Sequence, residues 1–199
     1  MYRTGNGLRM AALIRLGQEV VRVGDLAVIW RISDRNTLYT TLKRYTQKGL
    51  LFRIYKGLYA LKPLNELDPV MLGLKGLHRF AYVSTETVLV RQGIIPQKMP
   101  VITLISDISK RFSIGPYRYV SRKINDARLY NPAGLSIDNG IKTATPARAI
   151  ADLLYFNPRA YFDGSVTVNW QSVRALQKQI GYPLTPHRYD TSKSKRRAT

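Results

Sequence analysis

Ser33-Asp34-Arg35-Asn36-Thr37-Leu38-Tyr39-Thr40-Thr41-Leu42-Lys43-Arg44-Tyr45, followed by Leu50-Leu51-Phe52-Arg53-Ile54-Tyr55-Lys56-Gly57-Leu58-Tyr59-Ala60-Leu61, decides how the first part of this chain folds. Leu38, Leu42 and Tyr45 fall on one stripe at helical spacing, so the opposite face carries Arg35, Asn36, Tyr39, Thr40 and Lys43. Ser33 suits the N-cap, because its hydroxyl can accept a backbone N–H of the first turn, and Asp34 adds favourable charge there. Gly49 ends the helix. The two strands that follow turn around Tyr55-Lys56-Gly57, where glycine permits the positive φ of a tight hairpin.

Upstream, Leu8 to Gly17 reads as a helix, Val20 to Val23 as a short strand, and Gly24-Asp25 opens a second helix through Leu26, Ala27, Ile29 and Trp30. Helix, strand, helix, helix and hairpin in that order predict a winged helix-turn-helix domain over residues 1–62. Leu61-Lys62-Pro63-Leu64-Asn65 interrupts both periodicities and marks a boundary. Beyond it, residues 63–182 mix helices (68–77, 86–92, from Pro146, and 169–180) with strands (80–84, 101–105, 111–114, 117–124 and 135–137). The expected fold class is therefore α+β, a winged helix-turn-helix followed by a small mixed α/β domain. The polar, basic residues 183–199 read as a disordered tail.

The 199 residues carry 32 Lys and Arg against 12 Asp and Glu, a formal charge of +20. Such a cation calls for a polyanionic partner, and nucleic acid fits best because no apolar run approaches the roughly 20 residues that span a bilayer. The N-terminal residues lack the apolar core of a signal peptide, so a cytoplasmic location is expected. Without cysteine there is no disulfide or thiolate zinc site, and two isolated histidines, His78 and His187, build no metal cage. No cofactor is expected.

The expected DNA contacts are Ser33, Arg35, Asn36, Thr37, Tyr39, Thr40, Lys43 and Arg44 on the helix, with Arg53, Tyr55 and Lys56 on the hairpin at the backbone or minor groove. Arginine can fork onto guanine and asparagine onto adenine, whereas Thr, Tyr and Lys more often hold phosphates. Lys110, Arg111, Arg118, Arg122, Lys123 and Arg128 form a second basic set, offered to nucleic acid or to a partner. A metal nuclease needs clustered carboxylates near a lysine, and the acids here form no such motif. Asp152 reads as the ion-pair partner of Arg148 four residues earlier rather than as a catalytic group. The chain is not expected to be an enzyme.

Two sets of motifs carry a family resemblance. Asn36 to Tyr45, Lys48-Gly49-Leu50-Leu51 and Lys56 to Leu61 resemble the N-terminal winged helix of the AbiEi-like antitoxins of abortive-infection, type IV toxin–antitoxin systems. Tyr82-Val83-Ser84-Thr85-Glu86-Thr87-Val88-Leu89, Gly93-Ile94-Ile95 and Thr145 to Leu154 are similar to segments of that family's C-terminal domain. The resemblance implies a transcriptional repressor that binds inverted repeats in its own promoter, as a monomer or a DNA-induced dimer, and counteracts a nucleotidyltransferase-like toxin. The alternatives are a nuclease with a winged-helix delivery module and a protein that coats nucleic acid nonspecifically.

Overall fold

The computed structural model describes residues 4–96, 101–162 and 168–185, and the basic tail from Pro186 onward lies outside the described residues. Helices and strands alternate in an α+β arrangement that divides into two units, Met1–His78 with Ile114–Pro116, and Arg79–Ser113 with Tyr117–Thr199.

The first unit contains α1 (Thr4–Arg15), β1 (Val20–Arg22), α2 (Val23–Ile29), α3 (Arg35–Gln47), β2 (Phe52–Tyr55), β3 (Leu58–Ala60) and α4 (Pro69–Leu77). The three strands form an antiparallel sheet in the order β1-β3-β2, with β3 paired on both sides. The predicted stripe of α3 points inward: Leu38, Leu42 and Tyr45 join Leu13, Val21, Leu26, Trp30, Ile32, Leu51 and Tyr59 in one core. Trp30 meets Tyr45 edge-on, with centroids 5.2 Å apart, and its indole N–H donates to the Arg9 carbonyl at 3.1 Å. A buried indole needs such an acceptor, and the bond ties α1 to α2.

The unit boundary falls after His78, not after Lys62, so α4 belongs with the first unit. Asp68 starts it, accepting the N–H groups of Val70 and Met71 at 2.7 and 2.8 Å, and Pro69 occupies the first turn, where no amide donor is needed. Buried Val70 and Leu72 give it an inward face, and α4 packs beside β1.

The second unit is built on a six-stranded mixed sheet in the order β6-β7-β5-β4-β9-β8. Its strands are β4 (Ala81–Val83), β5 (Val101–Ser106), β6 (Lys110–Ile114), β7 (Tyr117–Lys123), β8 (Leu135–Asp138) and β9 (Ile141–Ala144), accompanied by α5 (Glu86–Arg91), α6 (Asp126–Leu129), α7 (Pro146–Phe156) and α8 (Trp170–Ile180). Strand β9 and helix α6 are additions to the sequence reading. Ile141-Lys142-Thr143-Ala144 is too short and mixed to announce itself, yet it lies between β8, antiparallel, and β4, parallel. Helix α7 packs against both α5 and α8, and it is apolar enough that Ala149, Ile150, Ala151, Leu153 and Leu154 are all buried.

Candidate nucleic-acid interface

Asp34, rather than Ser33, caps α3: its Oδ1 accepts the Thr37 N–H at 2.8 Å. Hydrogen bonding from Thr37 holds the Asp34 carboxyl below its ordinary value. Ser33 precedes the cap and is exposed. Starting the helix one residue later leaves the amphipathic phase unchanged, since Leu38, Thr41, Leu42 and Tyr45 face inward.

Arg35, Asn36, Thr37, Thr40, Lys43 and Arg44 are all exposed, and Tyr39 is half-buried. Asn36, Thr40 and Lys43 succeed one another at i, i+4 and i+7, one polar line along the helix. The Arg35 guanidinium lies 5.7 Å from the centre of the Tyr39 ring, so Tyr39 acts as a platform that steadies Arg35. Among the described residues, no ion pair engages Arg35, Lys43, Arg44, Arg53 or Lys56. The neighbouring acids are committed elsewhere: Glu19 pairs with Lys62, Asp25 accepts the Arg22 N–H, and Asp34 is the cap. This face therefore keeps uncompensated positive charge beside groups that can fork onto base edges.

The hairpin alternates as its period demands, with Phe52 and Ile54 half-buried and Arg53 and Tyr55 exposed. An irregularity between Arg53 and Tyr55 shifts the register against β3, and Gly57 takes φ +89° in the turn. Lys56 is exposed in that turn. The Tyr55 hydroxyl donates to the Gly76 carbonyl, in the last turn of α4, at 3.1 Å. Its hydroxyl is thus engaged within the first unit while its ring stays exposed. Arg22, which the sequence reading passed over, donates to the Lys75 carbonyl at 3.1 and 2.8 Å and to the Gly76 carbonyl at 3.2 Å.

In the second unit the six expected basic residues separate into two groups. Lys110, Arg111, Arg118 and Lys123 are exposed on β6 and β7, at one edge of the sheet, with Lys110 over the Phe112 ring. Arg122 and Arg128 are occupied. Arg122 pairs with Glu86 and sits 5.4 Å from the Phe156 ring centre. Arg128 donates to the Tyr155 hydroxyl at 3.1 Å and the Gly181 carbonyl at 2.9 Å, and covers the rings of Tyr155 and Tyr182. These two, half-buried, are engaged by groups of their own unit.

Asp152 pairs with Arg148 as the spacing predicts, at 2.9 Å, with both side chains fully buried. Arg148 also donates to the Tyr82 hydroxyl at 2.7 Å and the Ala133 carbonyl at 2.7 Å, while Asp152 accepts from Ser84 at 2.6 Å and Tyr182 at 2.7 Å. Burial, reinforced by the Asp152 charge, pushes the phenols of Tyr82 and Tyr182 far above their ordinary range. Each charge is thus paired and hydrogen-bonded, as a buried ion must be. Closed on all sides, the network offers no atom to a substrate. No group of three or more His, Asp or Glu side chains among the described residues could hold a metal ion, and no helix among them is long and apolar enough to cross a membrane.

No family model matches the chain, and no curated protein sequence matches it. Among solved structures, the crystal structure of the RV2827C protein from Mycobacterium tuberculosis is similar, with a TM-score of 0.52 and 15% identity over 92% of this chain and 73% of that chain. At this identity the likeness concerns the fold alone.

Proposed function

We propose that the first unit is a winged helix that places α3 in the major groove of DNA, and that the protein is a sequence-specific transcriptional regulator. The observation that carries this reading is the exposed face Arg35, Asn36, Thr37, Thr40, Lys43 and Arg44, unpaired with acids among the described residues and flanked by Arg53 and Lys56. Asn36 and Arg35 supply base-edge chemistry, and the lysines and the remaining arginines supply phosphate charge. Lys110, Arg111, Arg118 and Lys123, exposed along the β6–β7 edge, offer further positive charge to flanking DNA or an acidic partner.

The motif resemblance extends the proposal to an antitoxin of the AbiEi-like kind that represses its own operon from inverted repeats and opposes a nucleotidyltransferase-like toxin. Selection from a random duplex library at physiological salt tests the DNA reading. A recurrent motif, bound at least about a thousandfold more tightly than scrambled duplex, is the expected result, and equal affinity for both identifies a nonspecific coating protein instead. Rescue of growth on co-expression with the nucleotidyltransferase-like product of an adjacent gene tests the antitoxin role.

A further inference from the structure

The sheet of the second unit ends in two strands, β6 and β8, each without a neighbour on its outer side among the described residues. An open edge is a template for a further strand, and proteins guard such edges with cations. Strand β6 is guarded: Lys110 and Arg111 are exposed on it, with Arg118 and Lys123 exposed on β7 beside it. Strand β8, Leu135-Ser136-Ile137-Asp138, has neither Lys nor Arg, and Ile137 is 70% exposed. Lys142, across from Ile137 on β9, sets its ammonium over the Phe80 ring, 4.4 Å from the ring centre and toward the β4 side of the sheet.

The backbone of β8 suits pairing with its own kind. Its hairpin to β9 turns through Asn139 at φ +49° and Gly140 at φ +75°, the left-handed pair of a two-residue turn. Asp138 faces Ile141, Ile137 faces Lys142, Ser136 faces Thr143 and Leu135 faces Ala144, and the Thr145 N–H donates to the Gly134 carbonyl at 2.8 Å. Antiparallel pairs alternate between bonded and non-bonded, so Gly134, Ser136 and Asp138 bond to β9 while the N–H and C=O groups of Leu135 and Ile137 turn outward. Leu135 of one copy can therefore face Ile137 of another, and the reverse, about a two-fold axis at Ser136, each pair exchanging both backbone hydrogen bonds. The same register puts the Leu135 and Ile137 side chains of both copies on one face and sets Asp138 across from Gly134, so like charges do not meet within the strand pair.

Charge decides which partner fits. An acidic segment is attracted to β6, where the cations are, whereas a strongly basic partner is repelled there and meets no cation on β8. In a chain of net charge +20, a second copy is a partner of that kind. We propose that β8 is a self-association edge, on which a second copy of this chain adds its own β8 antiparallel. A strand of four residues buries little surface, so the dimer is weak and forms only as concentration rises.

The test is sedimentation equilibrium of the full-length chain without DNA, from about 1 to 300 µM, at low and high salt. The wild type should move from the monomer mass toward twice that value, more readily at high salt, because screening removes repulsion between the copies. Amide exchange at Leu135 and Ile137 should slow over the same range, a reading that needs no variant. Ile137→Pro removes an outward N–H without breaking a bond to β9, and Ile137→Lys places a guarding cation on the edge. Each should raise the concentration at which dimer forms by about tenfold or more, with circular dichroism unchanged. Arg111→Ser alters the opposite edge and should leave the wild-type curve in place. A wild type that stays monomeric with constant exchange overturns the proposal. So does a dimer that neither Ile137 variant weakens, or one that Arg111→Ser abolishes, which would move the contact to β6. All of these results leave the DNA-binding reading as it stands, since no duplex is present.

Discussion

Arginine does opposite things in the two units. On α3 and the hairpin, Arg35, Arg44 and Arg53 point outward, unpaired with acids among the described residues, whereas Arg148 is fully buried and Arg122 and Arg128 are bound to groups of their own unit. The difference follows from what each backbone position faces. A guanidinium on the polar side of an amphipathic helix keeps its hydration and its charge for a partner, but one on an inward face must find five acceptors or be excluded. Arg148 meets that demand with Asp152, the Tyr82 hydroxyl and backbone carbonyls. Positive charge in this protein is therefore left exposed and unpaired with acids in one place and is a structural fastening in another, among the described residues.

The contrast is broken most sharply by removing one partner of the buried pair. Asp152→Ala leaves Arg148 charged and uncompensated in the interior, and denaturant unfolding should report a loss of about 3–5 kcal/mol. Arg35→Ala, by comparison, should leave stability within about 0.5 kcal/mol of wild type, as surface changes do. Equal destabilisation by the two would erase the distinction.

The next effect concerns binding. Arg35→Ala or Asn36→Ala should cost about 1–3 kcal/mol on the selected duplex and little on scrambled DNA in equilibrium titrations. Losses of the same size on both duplexes would reduce these residues to phosphate contacts. Arg128→Ala should weaken the packing of Tyr155 and Tyr182 while leaving DNA affinity unchanged, the reverse pattern.

The smallest effect is at the start of α3. Asp34 has its pKa lowered in the folded state by the Thr37 hydrogen bonds, so its contribution is present above the unfolded value of 3.8 and is lost as pH falls through the lower folded value. Asp34→Ala should lower the melting temperature slightly at neutral pH and remove that part of the acid dependence. If the variant keeps the wild-type acid profile, the cap contributes nothing.

Most of the first unit was legible because its signals are local. The Leu38, Leu42 and Tyr45 stripe, the Gly57 turn and the short run at Val20 each report a backbone period or a φ requirement set within a few residues. The cap moved from Ser33 to Asp34 because both residue types serve that position, and adjacent candidates are separated only by the final backbone angles. In the second unit β9 went unread: its four residues show no clear alternation, and their strand geometry comes from neighbours on both sides.

By itself, the sequence determined the order of elements in the first unit, the polar face of α3, the excess of positive charge and the i, i+4 pairing of Arg148 with Asp152. These depend on spacing along the chain, which a helix or strand converts directly into position. Only the tertiary structure decided which cations stay outward, that Tyr55 and Arg22 seal the end of α4, and that α4 belongs to the first unit. Those outcomes depend on carbonyls, rings and carboxylates brought close by folding from distant parts of the chain, and no local pattern records which of them a long side chain will meet.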